Sequence, residues 1–167
     1  MANNRKTVET LDKYFKIRKI PVDQLKWRPT ACAVVIKDSK ILLVQERGMY
    51  HLPGGGVNIG EDPSEAVIRE TKEETGIDVA SPKLIETKSS FYSFINTFGD
   101  NELYHYHALN LFYKCKFSKG KINSATKLDD YEKSINLRAV WLPVEDLKSI
   151  KVGTTYDWRP IIDRHTN

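Results

Sequence analysis

The strongest constraint in the sequence is a short segment that encodes both the start and the end of a helix. Asp62 can cap the helix, Pro63 suits the first helical position, and Glu65 can complete a capping box by reaching back to the cap amide. Gly76 supplies the left-handed residue with which many helices end. The sequence therefore predicts a helix over residues 62–75.

Three carboxylates share one side of this predicted helix. Residues three and four apart lie on the same face, so Glu70, Glu73 and Glu74 project together. Because like charges at these spacings repel, one interpretation is a solvated acidic face balanced by nearby basic side chains. The other is a site for a hard divalent cation such as Mg²⁺, which takes oxygen ligands from carboxylates and from substrate phosphates.

The other two sides of the helix differ in character. One side is expected to pack against a sheet, and it carries Val67, Ile68, Thr71 and Thr75. The remaining side is expected to face solvent, and it carries Glu65, Arg69 and Lys72.

A run of glycines, Gly54, Gly55 and Gly56, precedes the helix. Consecutive glycines let the backbone approach a metal or a phosphate closely, although glycine clusters also form ordinary turns. Beside the acidic helix, this loop favours a site that holds metal and diphosphate together.

The rest of the chain alternates between short strands and short helices. Strands are predicted at residues 30–36, 41–45, 83–94, 103–117 and 139–142, and the first two should form a hairpin. Residues 7–20 predict a short helix or an edge element, residues 48–56 a loop, and residues 144–150 a short helix after Pro143. This order is typical of a mixed α/β sandwich.

Length and composition are those of one globular domain. The 167 residues are 40% hydrophobic and 29% charged, without the ~20 consecutive apolar residues of a membrane span. The polar N-terminus lacks the apolar stretch of a secretory signal, so a cytoplasmic location is expected. Cys32 and Cys115 lie in predicted strands, which favours core residues over a disulfide or metal pair. The net charge of +4 only modestly favours anionic ligands.

One long motif combines the loop and the helix. Gly55, five residues, Glu61, seven residues and then residues 69–77 (RETKEETGI) together resemble the Nudix box of the Nudix hydrolases. Thr71 is the one departure, because the pattern prefers a bulky aliphatic residue there. Residues 50–55 and 138–147 are also similar to the segments that flank the box. The resemblance covers residues 28–150, the core of one domain spanning 1–167 with N-terminal and C-terminal extensions.

The resemblance implies a fold and a reaction. The expected fold is an α/β/α sandwich on a mixed β-sheet, with the box as loop, helix and loop. The expected reaction is Mg²⁺-dependent hydrolysis of a diphosphate bond, with Mn²⁺ as a substitute. The substrate would be a nucleoside diphosphate joined to another group, such as a nucleotide sugar, ADP-ribose or a modified nucleoside triphosphate. Neither a stable nucleic-acid partner nor a membrane is expected, and dimers are common among relatives.

The resemblance also implies roles for individual residues. The expected metal ligands are Glu70, Glu73, Glu74 and the main-chain carbonyl of Gly54, with Glu61 as an outer or second-metal carboxylate. Arg69 would orient the box glutamates through ion pairs. The general base is either a box glutamate such as Glu70 or an acid from a distant loop, for which Glu132 is preferred over Asp129 and Asp130. The alternative is that residues 127–133 form a charged surface loop.

Two further residues are candidates for substrate contact. Arg47 near the end of a predicted strand could bind a phosphate, or it could be an exposed strand-end arginine. Tyr50 opens the segment before the glycine loop. His105 and His107 alternate on a strand without a third ligand, so zinc is not predicted. Of the strand aromatics near them, such as Tyr92 and Tyr106, most are expected in the core and some could stack on a base.

Two other functions stay open at this point. A diphosphate isomerase on the same fold is disfavoured because the box is intact. A sensor domain would bind a nucleotide without cutting it, and metal-dependent release of a mononucleotide would separate it from a hydrolase.

Overall fold

The structure is a computed structural model that describes residues 6–12, 16–95, 101–123 and 137–166. The strands are β1 (Thr7–Leu11), β2 (Ile17–Pro21), β3 (Leu25–Lys37), β4 (Lys40–Glu46), β5 (Met49–His51), β6 (Gly54–Gly56), β7 (Asp78–Ile95), β8 (Leu103–Lys119) and β9 (Arg138–Pro143). The α-helices are α1 (Pro63–Thr75) and α2 (Arg159–Thr166). Short 3₁₀ helices span Val22–Gln24 and Val144–Ser149, and the second confirms the short helix predicted after Pro143.

The nine strands in the described part of the chain form one mixed sheet. Its main order is β2-β1-β7-β8-β3-β4-β5, while β6 pairs with β3 and β9 pairs with β4. β3 runs parallel to β8 and β1 runs parallel to β7, whereas β7 and β8 are antiparallel. The predicted hairpin is confirmed, because Ile36 of β3 lies opposite Ile41 of β4. β3 is the central strand that carries both β8 and the glycine strand β6.

Helix α1 follows the prediction closely at both ends. The Asp62 side chain accepts a hydrogen bond from the amide of Ser64 at 2.8 Å, and Glu65 reaches back to the amide of Asp62 at 3.4 Å. Gly76 ends the helix in the left-handed region at φ 75°. These contacts satisfy backbone groups that a helix end leaves unpaired.

One side of α1 packs on the sheet. Val67, Thr71 and Thr75 are buried, and the Thr71 hydroxyl donates to the carbonyl of Val67 at 2.6 Å, so its polar group has a partner. Ala66 is buried as well. The prediction that Ile68 packs against the sheet is wrong, because the buried stripe is centred on the row of Val67 and Ile68 is 36% exposed.

The opposite face of the sheet is covered by α2, which the sequence analysis did not predict. Trp158, Ile161 and Ile162 are buried against Val34 and Phe112. Ala31, Ala33 and Val35, which alternate with the residues that face α2, pack in the cluster that contains α1. This alternation along β3 buries both faces of the strand. The predicted α/β/α sandwich on a mixed sheet is therefore confirmed.

One local prediction is confirmed in one of its alternatives and another is wrong in type. Of the alternatives for residues 7–20, the edge element is confirmed, because the described parts form β1 and β2, which pair antiparallel with β2 at the edge of the sheet. Residues 48–56, predicted as loop, contain β5 and β6. Glycine has low strand propensity, but β6 gains its conformation from backbone pairing with Thr30, Ala31 and Cys32 of β3.

The two cysteines lie in the core, as predicted. Cys32 and Cys115 are buried, free thiols in β3 and β8. Within the described ranges, no helix has both the length and the apolar character needed to cross a membrane.

Candidate active site

The glycine strand and the acidic helix meet directly. A side-chain carbon added to Gly55 would lie 2.5 Å from the carboxyl carbon of Glu70, so the Glu70 carboxyl group covers the Gly55 backbone. The amide of Gly54 donates to Oε2 of Glu74 at 2.8 Å, and Glu74 is only 7% exposed. β6 thus presents bare backbone to two of the predicted metal ligands because its residues are glycines.

Arg69 lies at the centre of the acidic cluster, which we define as Glu61, Glu70, Glu73 and Glu74. Its Nε and Nη2 donate to the two oxygens of Glu61 at 2.7 and 2.9 Å. Its Nη1 donates to Glu70 at 2.7 Å and to Glu73 at 3.2 Å. Nη2 also donates to the carbonyl of Gly56 at 3.1 Å. The prediction that Arg69 lies on the solvent-facing side is therefore wrong: its guanidinium turns toward the carboxylates that attract it.

These contacts shift the pKa values of three residues in and around the cluster. Hydrogen bonds from Arg69 and from the amide of Asn58 lower the pKa of Glu61 to about 2. Burial raises the pKa of Glu70, and the hydrogen bond from Arg69 opposes that rise. The bond to Glu61 is also the main reason that the pKa of Arg69 is raised. Glu61 is thus firmly ionised, whereas Glu70 loses solvent that would stabilise its charge.

The carboxylates of the acidic cluster are suitable ligands for a hard cation. Three carboxylates contact the Arg69 guanidinium and a fourth, that of Glu74, accepts from the amide of Gly54, so negative charge is in excess. Carboxylate oxygens are the ligands that Mg²⁺ prefers. The Glu70 carboxyl group can lie against the backbone of β6 only because Gly55 has no side chain. In the arrangement seen, no group of three or more acidic, histidine or cysteine side chains among the described residues is already gathered at metal-binding spacing. Metal binding would therefore require the carboxylates to move closer together.

A second arginine at this site was missed by the sequence analysis. A side-chain carbon on Gly56 would lie 3.1 Å from Nη2 of Arg28. The guanidinium carbon of Arg28 is 5.5 Å from the ring centre of Tyr106, and its charge acts on both Glu70 and Tyr92. The sequence signal would have been its position in β3 two residues before Thr30, which pairs with Gly56. That signal required knowledge of the register.

Arg47 and Tyr50 lie in different surroundings. Arg47 adopts φ 48° in the turn between β4 and β5, and its side chain is 56% exposed with Nε 3.9 Å from Oε1 of Glu46. It borders a cavity between β4, β5, β7 and β8. Tyr50 packs with the α2 core and exchanges backbone hydrogen bonds with Lys151 and Gly153. Substrate contact by Arg47 and Tyr50 stays a prediction.

The distal candidates for the general base cannot be placed. Glu132, Asp129 and Asp130 lie outside the described residues. The choice between Glu132 and a box glutamate stays a prediction.

The strand histidines and aromatic residues pack with one another. His105 bonds to Ser93 at 2.8 Å, and His107 lies between the rings of Trp27 and Phe91. Tyr92 and Tyr106 stack with ring centres 5.2 Å apart. Both tyrosines are half-buried rather than in the core, and Tyr92 lines the cavity next to Arg47.

Known proteins resemble this chain in sequence and in fold. A model of the NUDIX domain matches residues 26–161. The chain belongs to the Nudix family. A putative Nudix hydrolase 1 of Caenorhabditis elegans is 32% identical over 134 residues, which are 73% of this chain and 30% of that protein. A Nudix hydrolase of Nitrosomonas europaea has the same fold, with a TM-score of 0.61 and 24% identity over 84% of this chain and 90% of that one.

Two other curated relatives match shorter stretches of the chain at higher identity. The ADP-ribose pyrophosphatase of Methanocaldococcus jannaschii is 44% identical over 62 residues, which are 34% of this chain and 37% of that protein. The Nudix hydrolase YvcI of Bacillus subtilis is 41% identical over 76 residues, or 44% of this chain and 45% of that protein. The matched part therefore spans less than half the length of each of these curated relatives.

Proposed function

We propose that this Nudix protein hydrolyses the diphosphate bond of a nucleoside diphosphate joined to another group, with Mg²⁺ as its cofactor and Mn²⁺ as a substitute. The observation that carries the proposal is the acidic cluster around Arg69, which faces the bare backbone of Gly54, Gly55 and Gly56. The named ADP-ribose pyrophosphatase among the relatives supports a substrate of this class.

The cluster supplies the metal ligands. Glu70, Glu73, Glu74 and the carbonyl of Gly54 would hold the cation, with Glu61 next to them. Mg²⁺ bound there would offset the negative charge that builds up on the phosphates as the bond breaks. Glu74 has a second task, because its bond to the amide of Gly54 fixes the glycine strand relative to α1.

Arg69 is a positioning residue in this proposal. Its five N–H groups reach three carboxylates and one carbonyl, so one rigid side chain sets the spacing of the acids. Arg28 is a further cation whose charge acts on Glu70 and which lies against Gly56, so it is a candidate to bind a phosphate oxygen there. Arg47 at the cavity rim is a second candidate for that contact.

The reaction needs a base for the attacking water. The base takes a proton from water, the water oxygen bonds to phosphorus, and the bridging oxygen leaves with the other phosphate. Glu70 and Glu132 are the two candidates. Replacing Glu132 with Gln separates them: a loss of kcat by orders of magnitude identifies Glu132 as the base, and an effect below about threefold removes it.

The function is tested with purified protein and a panel of ADP-ribose, nucleotide sugars and oxidised nucleoside triphosphates. Phosphate release after a coupled phosphatase should depend on Mg²⁺, and Glu70→Gln should reduce kcat by about 100-fold or more. The matched control is Glu145→Gln, an exposed acid outside the site, which should keep full activity. A protein that binds these compounds but releases nothing is a sensor, and that result would overturn the proposal.

A further inference from the structure

We propose that the N-terminal hairpin of β1 and β2 is part of the substrate site, where it closes the cavity that receives the organic group beyond the diphosphate. The hairpin precedes residues 26–161, which the NUDIX model matches, so it lies outside the matched domain. The proposal rests on the proposed function, because it concerns the same substrate, but it is tested separately.

Elements from both ends of the sheet line this cavity. Leu11 and Asp12 at the end of β1 are in its lining, and so are Arg47 in the turn after β4 and Met49 at the start of β5. Four strands lie between β1 and β5 in the sheet, so the sheet must curl to bring both to one cavity. The cavity volume is about 310 Å³, which suits a nucleoside or a sugar. The hairpin therefore helps to enclose a small-molecule cavity.

A run of contacts connects the acidic cluster with the hairpin. Arg28 lies against the glycine strand, and its charge acts on Glu70 of the cluster. The guanidinium carbon of Arg28 is 5.5 Å from the ring centre of Tyr106, and that ring is 5.2 Å from the ring of Tyr92. Tyr92 lines the cavity and is in register with Leu11 of β1. A substrate whose diphosphate lies at the acids can therefore extend past Arg28 toward the hairpin.

The strand register directs Leu11 to the cavity. Paired residues of neighbouring strands point to the same face of a sheet, so Leu11 shares the face on which Tyr92 lies. Ile17 of β2 is the partner of Leu11 within the hairpin, but it lies one strand further out and is 65% exposed. Leu11 is therefore the apolar side chain through which the hairpin can contact a ligand.

Hydrogen bonds hold the hairpin in this position. Thr10 is fully buried, and its hydroxyl oxygen is 2.7 Å from that of Ser93 in β7. The Ser93 hydroxyl is in turn 2.8 Å from Nδ1 of His105 in β8. At the loop end of the hairpin, the Asp12 side chain accepts from Nε and Nη2 of Arg18, both at 3.3 Å. Because a buried hydroxyl without a partner is costly, Thr10 fixes the end of β1 against the central sheet.

The hairpin should affect substrate binding rather than the bond that breaks. The Leu11 side chain has no group that can bind a metal or transfer a proton. It can contribute only apolar contact and a limit on the size of the bound group. A change at Leu11 should therefore raise KM with little effect on kcat, whereas a change in the acidic cluster lowers kcat.

The first test reduces the space in the cavity. Leu11→Trp, Ile17→Trp and the wild type are compared with Mg²⁺ and ADP-ribose, UDP-glucose or GDP-mannose. For the compound that the wild type hydrolyses fastest, Leu11→Trp should raise KM by about tenfold or more and leave kcat within about threefold. Ile17→Trp is the matched control on the paired residue outside the cavity, and it should keep both values within about twofold. A wild-type KM in Leu11→Trp overturns the role of the hairpin.

The second test moves the hairpin without changing the cavity lining. Thr10→Val keeps the shape of the side chain but removes the hydroxyl that bonds to Ser93, so KM should rise by about threefold to tenfold. Thr10→Ser retains the hydroxyl and should keep the wild-type KM. Urea unfolding checks that both variants are folded under the assay conditions. If Thr10→Val and Thr10→Ser have the same KM, the position of β1 does not matter for binding.

A third test needs neither metal nor hydrolysis. In metal-free protein, the ¹³C-methyl signals of Leu11 and Ile17 are followed during titration with the same three compounds. At least one compound should give a saturable shift at Leu11 that is about threefold or more larger than the shift at Ile17. Unchanged Leu11 signals with all three compounds overturn the role of the hairpin even if the protein is a hydrolase.

The two proposals fail in different ways. If Glu70→Gln abolishes hydrolysis while Leu11→Trp hydrolyses like the wild type, the hairpin has no role and the proposed function stands. If a compound shifts the Leu11 signals but is never hydrolysed with Mg²⁺, the hairpin binds a ligand and the proposed function is overturned.

Discussion

Arg69 and Glu61 form a two-point ion pair in which Nε and Nη2 of the arginine bond to both oxygens of the carboxylate, at 2.7 and 2.9 Å. The third nitrogen of the same guanidinium bonds to Glu70 and Glu73. Glu61 precedes the helix and the other two acids lie on it, so this planar group fixes the loop to the helix.

Arg69→Lys should therefore lower activity more than stability. A lysine keeps the positive charge but cannot bond to three carboxylates in one plane, so the acids lose their fixed spacing. We expect kcat/KM to fall by about 10-fold to 100-fold, with a higher Mg²⁺ requirement. Arg164→Lys is the matched control, because Arg164 also bonds both oxygens of one acid, Glu86, far from the cluster. Equal losses in the two variants would contradict a positioning role for Arg69.

Gly55→Ala should damage the site through a steric effect alone. The added methyl group would lie 2.5 Å from the carboxyl carbon of Glu70, so the carboxyl group must move. We expect a loss of activity of about tenfold or more, measured as Mg²⁺-dependent phosphate release. Gly48→Asn is the control: Gly48 has open space around it, and asparagine tolerates its φ of 78°. Wild-type activity in Gly55→Ala would show that Glu70 does not need its present position.

Glu74 makes it possible to separate charge from hydrogen bonding. Glu74→Gln retains an oxygen for the amide of Gly54 but removes the charge, so we expect weaker Mg²⁺ binding with nearly unchanged unfolding free energy. Glu74→Ala leaves that amide without its bond and should also cost about 1–3 kcal/mol of stability. Calorimetric Mg²⁺ titration and urea unfolding measure the two effects. If both variants bind Mg²⁺ like the wild type, Glu74 is not a ligand.

The local parts of this site could be predicted from the sequence. The bounds of α1 follow from contacts within four residues, namely the cap at Asp62 and the left-handed Gly76, so no knowledge of distant strands is needed. The grouping of Glu70 and Glu73 on one side follows from the helical repeat. Their approach to Gly55 agrees with the spacing of the box, which is itself a local pattern.

The parts that depend on register could not be predicted. Arg28 comes near Glu70 only because β3 pairs with β6, and nothing in the sequence gives that pairing. Arg69 was assigned to the solvent side by its helical position, but its long side chain turns back to the carboxylates. Ile68 was misplaced because an apolar residue at the margin of a packed stripe has the same pattern as one within it.

His51 predicts a pH dependence of stability. Burial lowers its pKa in the folded protein to about 4, whereas the unfolded value is about 6.5. Between these values the unfolded chain binds a proton that the folded chain does not bind, so the free energy of unfolding decreases as the pH falls from about 6.5 to about 4. His51→Phe should flatten this slope in urea unfolding. A slope that persists in His51→Phe would assign the effect to other groups.

Trp158 should contribute most of the attachment of α2 to the sheet. Its ring is fully buried beside Ile161 and Ile162, but its indole N–H has no partner among the described residues. Trp158→Ala would leave a large cavity and should cost about 3–5 kcal/mol of unfolding free energy. Trp158→Phe should cost less, because it also removes the unpaired N–H. Trp27→Ala is the control, since Trp27 is 59% exposed and should change stability by less than about 1 kcal/mol. Urea unfolding measures all three variants. If Trp158→Ala costs no more than the control, the packing of α2 does not stabilise this face of the sheet.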